Sequence, residues 1–274
     1  MKRVILFQSF CSFGRASLTN QIPVLSALGA QPCPVPTAVL STHLGYPQPA
    51  VTDLTDQCAA TTAHWSALEL TFQGVLSGFL SQPRQAALVS AAAERLLAAD
   101  GLLAVDPVLG DHGHLYRSVS PALVEAQRIL CRQARLLLPN LTEAAILLGR
   151  EGAARPASRQ EAKDWLRTLG NGRRQVVLTG WEEDGGLGAL CLDLDGQVRS
   201  VLAPKIPAAV HGVGDLFSAV VLGRLLQEAP LSVAAEDACR FCSQAVAAFV
   251  KSGGPEPEGV PLESLLPELI RFRL

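Results

Sequence analysis

Charge is scarce in this sequence and nearly balanced. Lys and Arg number 23 and Asp and Glu 25 among 274 residues, 18% in all, for a net charge of −2. With no basic excess to hold a polyphosphate backbone, nucleic acid is not an expected partner. The apolar share is 49%, enough for a large core and too much for wholesale disorder. No apolar stretch reaches spanning length without a charge, so no membrane partner is expected. The opening MKRVILFQS has two positive charges, but its apolar run is too short for a signal-peptide core and ends in Gln8 and Ser9. It reads as a first strand. Seven cysteines, an odd number, form no disulfide framework, which points to a reducing compartment and a cytoplasmic location. The single CxxC spacing, Cys239 and Cys242, has no second pair for zinc and falls in a helical pattern, where packing explains it.

What remains is an alternation of short apolar runs with longer amphipathic stretches. Strands are expected at 3–9, 31–41, 74–80, 101–110, 134–140 and 174–180. Helices are expected at 16–29, stopping at Gly29, and at 52–70 with a threonine or aspartate cap. Further helices are expected at 83–100, at 120–133 with Pro121 in its first turn, and at 142–149 and 159–170. An antiparallel hairpin over 187–205 should turn at Asp195-Gly196. Helices return at the C-terminal end. Continuous apolar strands alternating with helices predict an α/β fold, a mostly parallel sheet with helices on both faces. No repeat, low-complexity tract or linker divides the chain, so residues 1–274 read as one domain.

In such sheets ligands bind beyond the carboxyl ends of the strands. The residues there are polar: Ser9, Ser77-Gly78, Asp106-Pro107, Pro139-Asn140 and Thr179-Gly180. Near the C-terminus stands HGVGDLFSAVVLGRLL, 211–226. The backbone N–H groups of Gly212, Val213 and Gly214, with a helix start behind them, form an anion hole. Asp215 would repel that anion if it served only as a cap, and makes sense as a base taking a proton from an attacking nucleophile. The alternative is a glycine turn with Asp215 capping the helix; on this stretch alone the two readings are equal. A dinucleotide fingerprint would need glycine at Phe217, and the Gly-Lys-Ser/Thr of a P-loop is missing.

GVGDLFSA resembles the glycine-x-glycine-aspartate signature of the ribokinase family. Three other stretches resemble its pyridoxal kinase branch: QSFCSFGRASLTNQIPVLSALGAQPCPVPTAVLSTH, SGFL, and DPVLGDHGHLY followed by LLLPNLTEAAIL. The resemblance runs in the family's order from Val4 to about Leu226. It implies a three-layer ribokinase-like fold and ATP-dependent phosphorylation of the 5′-hydroxymethyl group of pyridoxal, pyridoxine or pyridoxamine. Hydroxymethylpyrimidine kinases fit less well, since Ser9-Phe10-Cys11-Ser12 stands where they carry a glycine-rich run. A vitamer-binding protein without catalysis is the other alternative, and Asp215 argues against it.

The resemblance also implies roles. Asp215 matches the catalytic base, and Gly212 to Gly214 the hole for the transferring phosphoryl group. Ser9 matches the serine bonded to the pyridine ring, and His43 and Leu44 belong to the segment closing over it. Asp106 and Glu143 match carboxylates that organise Mg²⁺. Asp111, Asn140, Thr179 and Gly180 lie near the ATP phosphates, with His211 at the edge of the hole. A homodimer is expected. In isolation, Asp106-Pro107 reads as a turn start, 140–143 as a helix-capping segment, and Cys11, His43 and Tyr116 as packing. If Glu143 serves the metal, Glu143→Ala should weaken MgATP use and leave the fold intact. Three positions depart from the family's usual threonine. Val213 leaves the backbone hole unaffected, Leu44 removes a polar contact to the vitamer, and Leu138 weakens the case for activation by a monovalent cation, which the resemblance still admits.

Overall fold

The computed structural model of the chain describes residues 1–150, 155–255 and 258–273. In chain order the elements are β1 (Arg3–Cys11), α1 (Leu18–Ala27), β2 (Gln31–Leu40), β3 (Val51–Asp53), α2 (Thr55–Ala67), β4 (Phe72–Ser77), α3 (Pro83–Leu96) and β5 (Leu97–Val105). A small hairpin follows, β6 (Gly110–Asp111) and β7 (His114–Leu115), then α4 (Pro121–Gln133), β8 (Leu136–Leu137), α5 (Leu141–Leu147) and α6 (Arg159–Gly170). The last elements are β9 (Gln175–Glu183), β10 (Gly186–Leu192), β11 (Val198–Pro204), α7 (Val213–Leu226), α8 (Leu231–Ser252) and α9 (Leu266–Ile270).

Among the described residues nine strands form one sheet in the order β11-β10-β9-β8-β5-β4-β1-β2-β3. The six central strands, β9 to β2, run parallel. Alternation along each strand feeds two cores. Val4 and Leu6 of β1, Ala104 of β5 and Leu136 of β8 face a cluster built on α1, α7, α8 and α9. Ile5, Phe7, Leu103, Val105 and Leu137 face the opposite cluster, built on α2, α3, α4, α5 and α6. This is the expected three-layer α/β architecture.

Several local expectations change. The predicted helix over 52–70 starts at Thr55, because Val51–Asp53 pairs antiparallel with Ala38–Leu40 as an edge strand. Neither threonine nor aspartate occupies its N-cap, which is Leu54; Asp53, one residue earlier, accepts from the Thr55 N–H at 2.9 Å. The helix predicted to reach residue 100 ends at Leu96, where Leu97 turns to pair with Phe72. The expected strand 134–140 shrinks to the two ladder residues of β8. The late hairpin forms as expected between β10 and β11, but β10 is also antiparallel to β9, so at that edge β10 runs counter to the parallel strands and β11 runs with them again. Gly29 ends α1 with φ of +88°, as a left-handed cap requires. Pro121 opens α4.

β1 is flanked by β2 on one side and β4 on the other, so successive connections leave it in opposite directions. In open α/β sheets such a switch point marks the ligand crevice beyond the carboxyl ends of the strands. Residues 8–9, 77–79 and 106 converge there.

Candidate active site

The base of the site is the start of α7. Its N-cap is Gly212, with φ of +80°. A Cβ at this position would lie 2.3 Å from the Arg15 carbonyl oxygen and 2.4 Å from Asn20 Nδ2, so both the dihedral and the close approach demand glycine. Asn20, fully buried, donates from that Nδ2 to the carbonyls of Arg15 and Gly212 at 3.1 and 3.0 Å. The start of α7 is thereby tied to the loop that precedes α1.

The two readings of Asp215 now separate. The carboxylate takes no part in side-chain capping of α7. Its Oδ1 accepts from Gln8 Nε2 at 2.9 Å and its Oδ2 from the Ser17 N–H at 2.7 Å. It is turned away from its own helix and into the crevice. Burial pushes its carboxyl up to about 6, against the pull of the Ser17 N–H bond. A carboxylate that titrates near 6 is a usable base at neutral pH.

Asp106 is half-buried at the end of β5. Its backbone does start a turn, Val108 N–H donating to the Asp106 carbonyl at 2.9 Å. Its side chain faces elsewhere. Burial, and then the Asp215 charge, raises its carboxyl well above the usual carboxylate range, offset in part by the Ser218 hydroxyl. Glu143 is 4% exposed. Burial and the Asp106 charge raise it too, offset in part by backbone N–H bonds from Asn140 and Leu109. The Asp215 charge thus raises Asp106 and the Asp106 charge raises Glu143, which leaves the site short of positive charge.

The capping reading of 140–143 is also realised. Asn140 Oδ1 accepts from the Glu143 N–H at 2.9 Å and Glu143 Oε2 from the Asn140 N–H at 2.8 Å, a complete capping box for α5. Glu143 Oε1 accepts from Leu109 N–H at 3.2 Å, and Asn140 Nδ2 donates to the Gly110 carbonyl at 2.9 Å. Both ends of the Asn140 amide thus hold the β6–β7 hairpin to α5. The Glu143 side chain therefore also serves the fold, joining the Leu109 loop to the start of α5, so Glu143→Ala should cost stability as well as any metal function.

Asp111 is exposed on that hairpin, accepting from the His112 N–H at 2.7 Å, and its charge reaches Glu143. Tyr116 follows the hairpin, and burial together with Glu143, Asp111, Asp106 and Asp215 raises its phenol. Thr179 donates its N–H to the Pro139 carbonyl at 2.9 Å and bridges Asn140 across the sheet. Gly180 is the extra residue of the bulge opposite Gly188 and Ala189.

On the other wall, Ser9 is 3% exposed, its hydroxyl 2.8 Å from that of Ser17. Cys11 is buried beside both serines, and burial raises its thiol to about 11, which makes it a packing residue. His43 is buried, its Nδ1 accepting from the Gly45 N–H at 3.1 Å, and its ring packs on Tyr46 and His211. Leu44 is 45% exposed on the same loop. Leu138 is buried and apolar. Cys239 and Cys242 pack in the core, their thiols facing the carbonyls of Val201 and Val213. Gln8, Ser17 and Asn20 were not among the residues singled out from the sequence. The one available signal was a buried-strand pattern, RVILF, ending in an amide.

A switch point, a glycine-capped helix start and a half-buried carboxylate behind it come together on the fold of a ribokinase-like kinase. The comparisons agree. Residues 12–257 match the family model described as phosphomethylpyrimidine kinase, and the chain belongs to that family. A pyridoxine/pyridoxal/pyridoxamine kinase of Bordetella avium is 31% identical over 89% of this chain and 84% of its own. The pyridoxal kinase of Lactobacillus plantarum superposes with a TM-score of 0.92 at 31% identity, covering 99% of this chain and 97% of that one. A Bacteroides thetaiotaomicron protein provisionally described as a phosphomethylpyrimidine kinase, crystallised with pyridoxal, has a TM-score of 0.90 at 34% identity, over 98% and 95% of the two chains.

Proposed function

We propose that this chain is an ATP-dependent kinase acting as one catalytic unit on the 5′-hydroxymethyl group of pyridoxal, pyridoxine and pyridoxamine. The observation that carries the assignment is the placement of Asp215. It sits behind the Gly212–Gly214 backbone, held by Gln8 and Ser17, and caps nothing. In the reaction the vitamer hydroxyl oxygen attacks the γ-phosphorus of ATP as its proton passes to Asp215. The bond to the β-phosphate oxygen breaks and ADP leaves. The hole supplies backbone N–H groups to the charge on the transferring group, which is how phosphoryl transfer is chiefly assisted. Ser9 bonds the pyridine ring, and the His43-Leu44 loop closes over it. Asp111, Asn140, Thr179, Gly180 and His211 border the triphosphate.

Asp106 and Glu143 would hold Mg²⁺. The donor set fits, since hard carboxylate oxygens suit this ion and their mutual repulsion calls for a cation. Among the described residues no three acidic, His or Cys side chains converge to hold a metal unaided, in keeping with an ion that also relies on water and phosphate. When bound, the ion neutralises phosphate charge. The description of the matching family favours one second reading, a methylpyrimidine acceptor, as hydroxymethylpyrimidine or its phosphate ester. ATP consumption measured side by side with the three vitamers and hydroxymethylpyrimidine decides. Turnover of the vitamers is expected, and turnover of the pyrimidine alone would overturn the assignment.

A further inference from the structure

Gln8 is an amide at the end of an apolar strand, and it is 1% exposed. Its side chain makes three hydrogen bonds. Nε2 donates to Asp215 Oδ1 at 2.9 Å, while Oε1 accepts from the N–H groups of Ser9 at 3.1 Å and Phe79 at 2.6 Å. Backbone N–H groups cannot accept, so the oxygen must face them and the NH₂ must face Asp215. The amide's orientation is dictated by the fold. The neighbouring wall is shaped for it: a Cβ on Gly78 would lie 2.0 Å from Nε2. The second Asp215 oxygen is held by Ser17, which adopts φ of 59° without being glycine. The carboxylate is clamped from both sides, from β1 and from the entry to α1.

We propose that Gln8 is a positioning residue for phosphoryl transfer. It fixes Asp215 in the orientation that receives the hydroxyl proton, and it joins the base to Ser9 and Phe79 on the vitamer side of the crevice. The inference rests on Asp215 being the base. A base held by preformed donors need not reorganise as it accepts the proton.

Gln8→Glu keeps the shape and replaces the donating NH₂ with an oxygen. Two carboxylates then face each other in a buried site. With pyridoxal and ATP, kcat should fall about tenfold or more while both KM values stay within about threefold, the split expected when a transition-state contact is lost. Thermal stability should fall as well. In Gln8→Glu/Asp215→Asn the polarity is reversed: the amide at position 215 donates to the carboxylate at position 8 and still accepts from Ser17. The melting temperature of the double variant should therefore rise above that of Gln8→Glu. Gly78→Ala, which displaces the amide without altering any charge, should lower kcat in the same way and serves if Gln8→Glu does not fold. Wild-type kcat in either folded variant, or additive loss of stability in the double variant, overturns the positioning role while leaving the kinase assignment in place. A wild-type chain that phosphorylates no vitamer overturns the assignment and the proposal together.

Discussion

The imidazole rings of His43 and His211 lie 4.5 Å apart, centroid to centroid, with their planes tilted by 39°. One ring belongs to the loop between β2 and β3. The other immediately precedes Gly212, the N-cap of α7. The contact joins the two halves of the crevice, and Gly45 makes room for it: a Cβ there would lie 2.7 Å from His211 Nε2 and 2.8 Å from His43 Cε1. Gly45→Ala should push the rings apart and lower kcat/KM for the vitamer about tenfold, or ~1.4 kcal/mol of transition-state stabilisation. Steady-state kinetics at saturating ATP checks this, and an unchanged kcat/KM would remove the coupling.

Burial raises the Asp215 carboxyl to about 6, and only its ionised form accepts a proton. Activity therefore rises with pH. The kcat/KM profile should show an acid limb falling off below about 6 that is absent from the residual activity of Asp215→Asn. Folding favours the protonated form of this group, so the stability it contributes is present below the ordinary aspartate range and lost as pH climbs through about 6. The melting temperature of Asp215→Asn relative to wild type should accordingly increase between about pH 4 and 7. A flat difference would mean that the carboxylate titrates normally.

Glu143 has two tasks, and two variants separate them. Glu143→Ala removes a capping box and the tie to Leu109, and should cost about 1–2 kcal/mol in denaturant titration. Glu143→Gln retains an acceptor for one of those N–H groups and should fold more stably, but it lacks the charge. Its rate should need more Mg²⁺ than wild type to saturate. Wild-type dependence on Mg²⁺ in Glu143→Gln would leave the residue a purely structural one.

The family resemblance and the two exposed sheet edges at β3 and β11 support a two-fold dimer. Light scattering at micromolar protein should return twice the chain mass. The mass of one chain would contradict it.

Much of the sheet could be read in advance because strands buried on both faces are near-continuous apolar runs, as 3–9 and 174–180 are. The edge strand β3 could not: its three residues are all exposed and too few to show a period, and they run straight into a helical pattern. The pairing of β9 with β10 was hidden for a different reason, since direction is set by the short Asp184-Gly185 turn rather than by either strand's composition. In the site, the place of Asp215 behind Gly212–Gly214 at a helix start was legible, but chemistry and spacing left its capping and base readings equal, and only the family resemblance favoured the base. The partners of Asp215 were not, because Gln8 and Ser17 reach it through contacts spanning 207 and 198 residues. The capping box at 140–143 was legible, but its coexistence with a carboxylate cluster appears only once β5 brings Asp106 beside it.

The central claim is that Asp215 is the base of a vitamer kinase, and Asp215→Asn tests it most directly. The substitution keeps the side chain's shape and can still accept from the Ser17 N–H. Its amide meets the Gln8 NH₂ donor to donor, a modest loss that circular dichroism and a melting curve would register. With ATP, Mg²⁺ and pyridoxal, formation of pyridoxal phosphate by the variant should fall by ~10²–10⁴ in kcat with the fold retained. A folded variant with near-wild-type kcat would show that the aspartate is not the base.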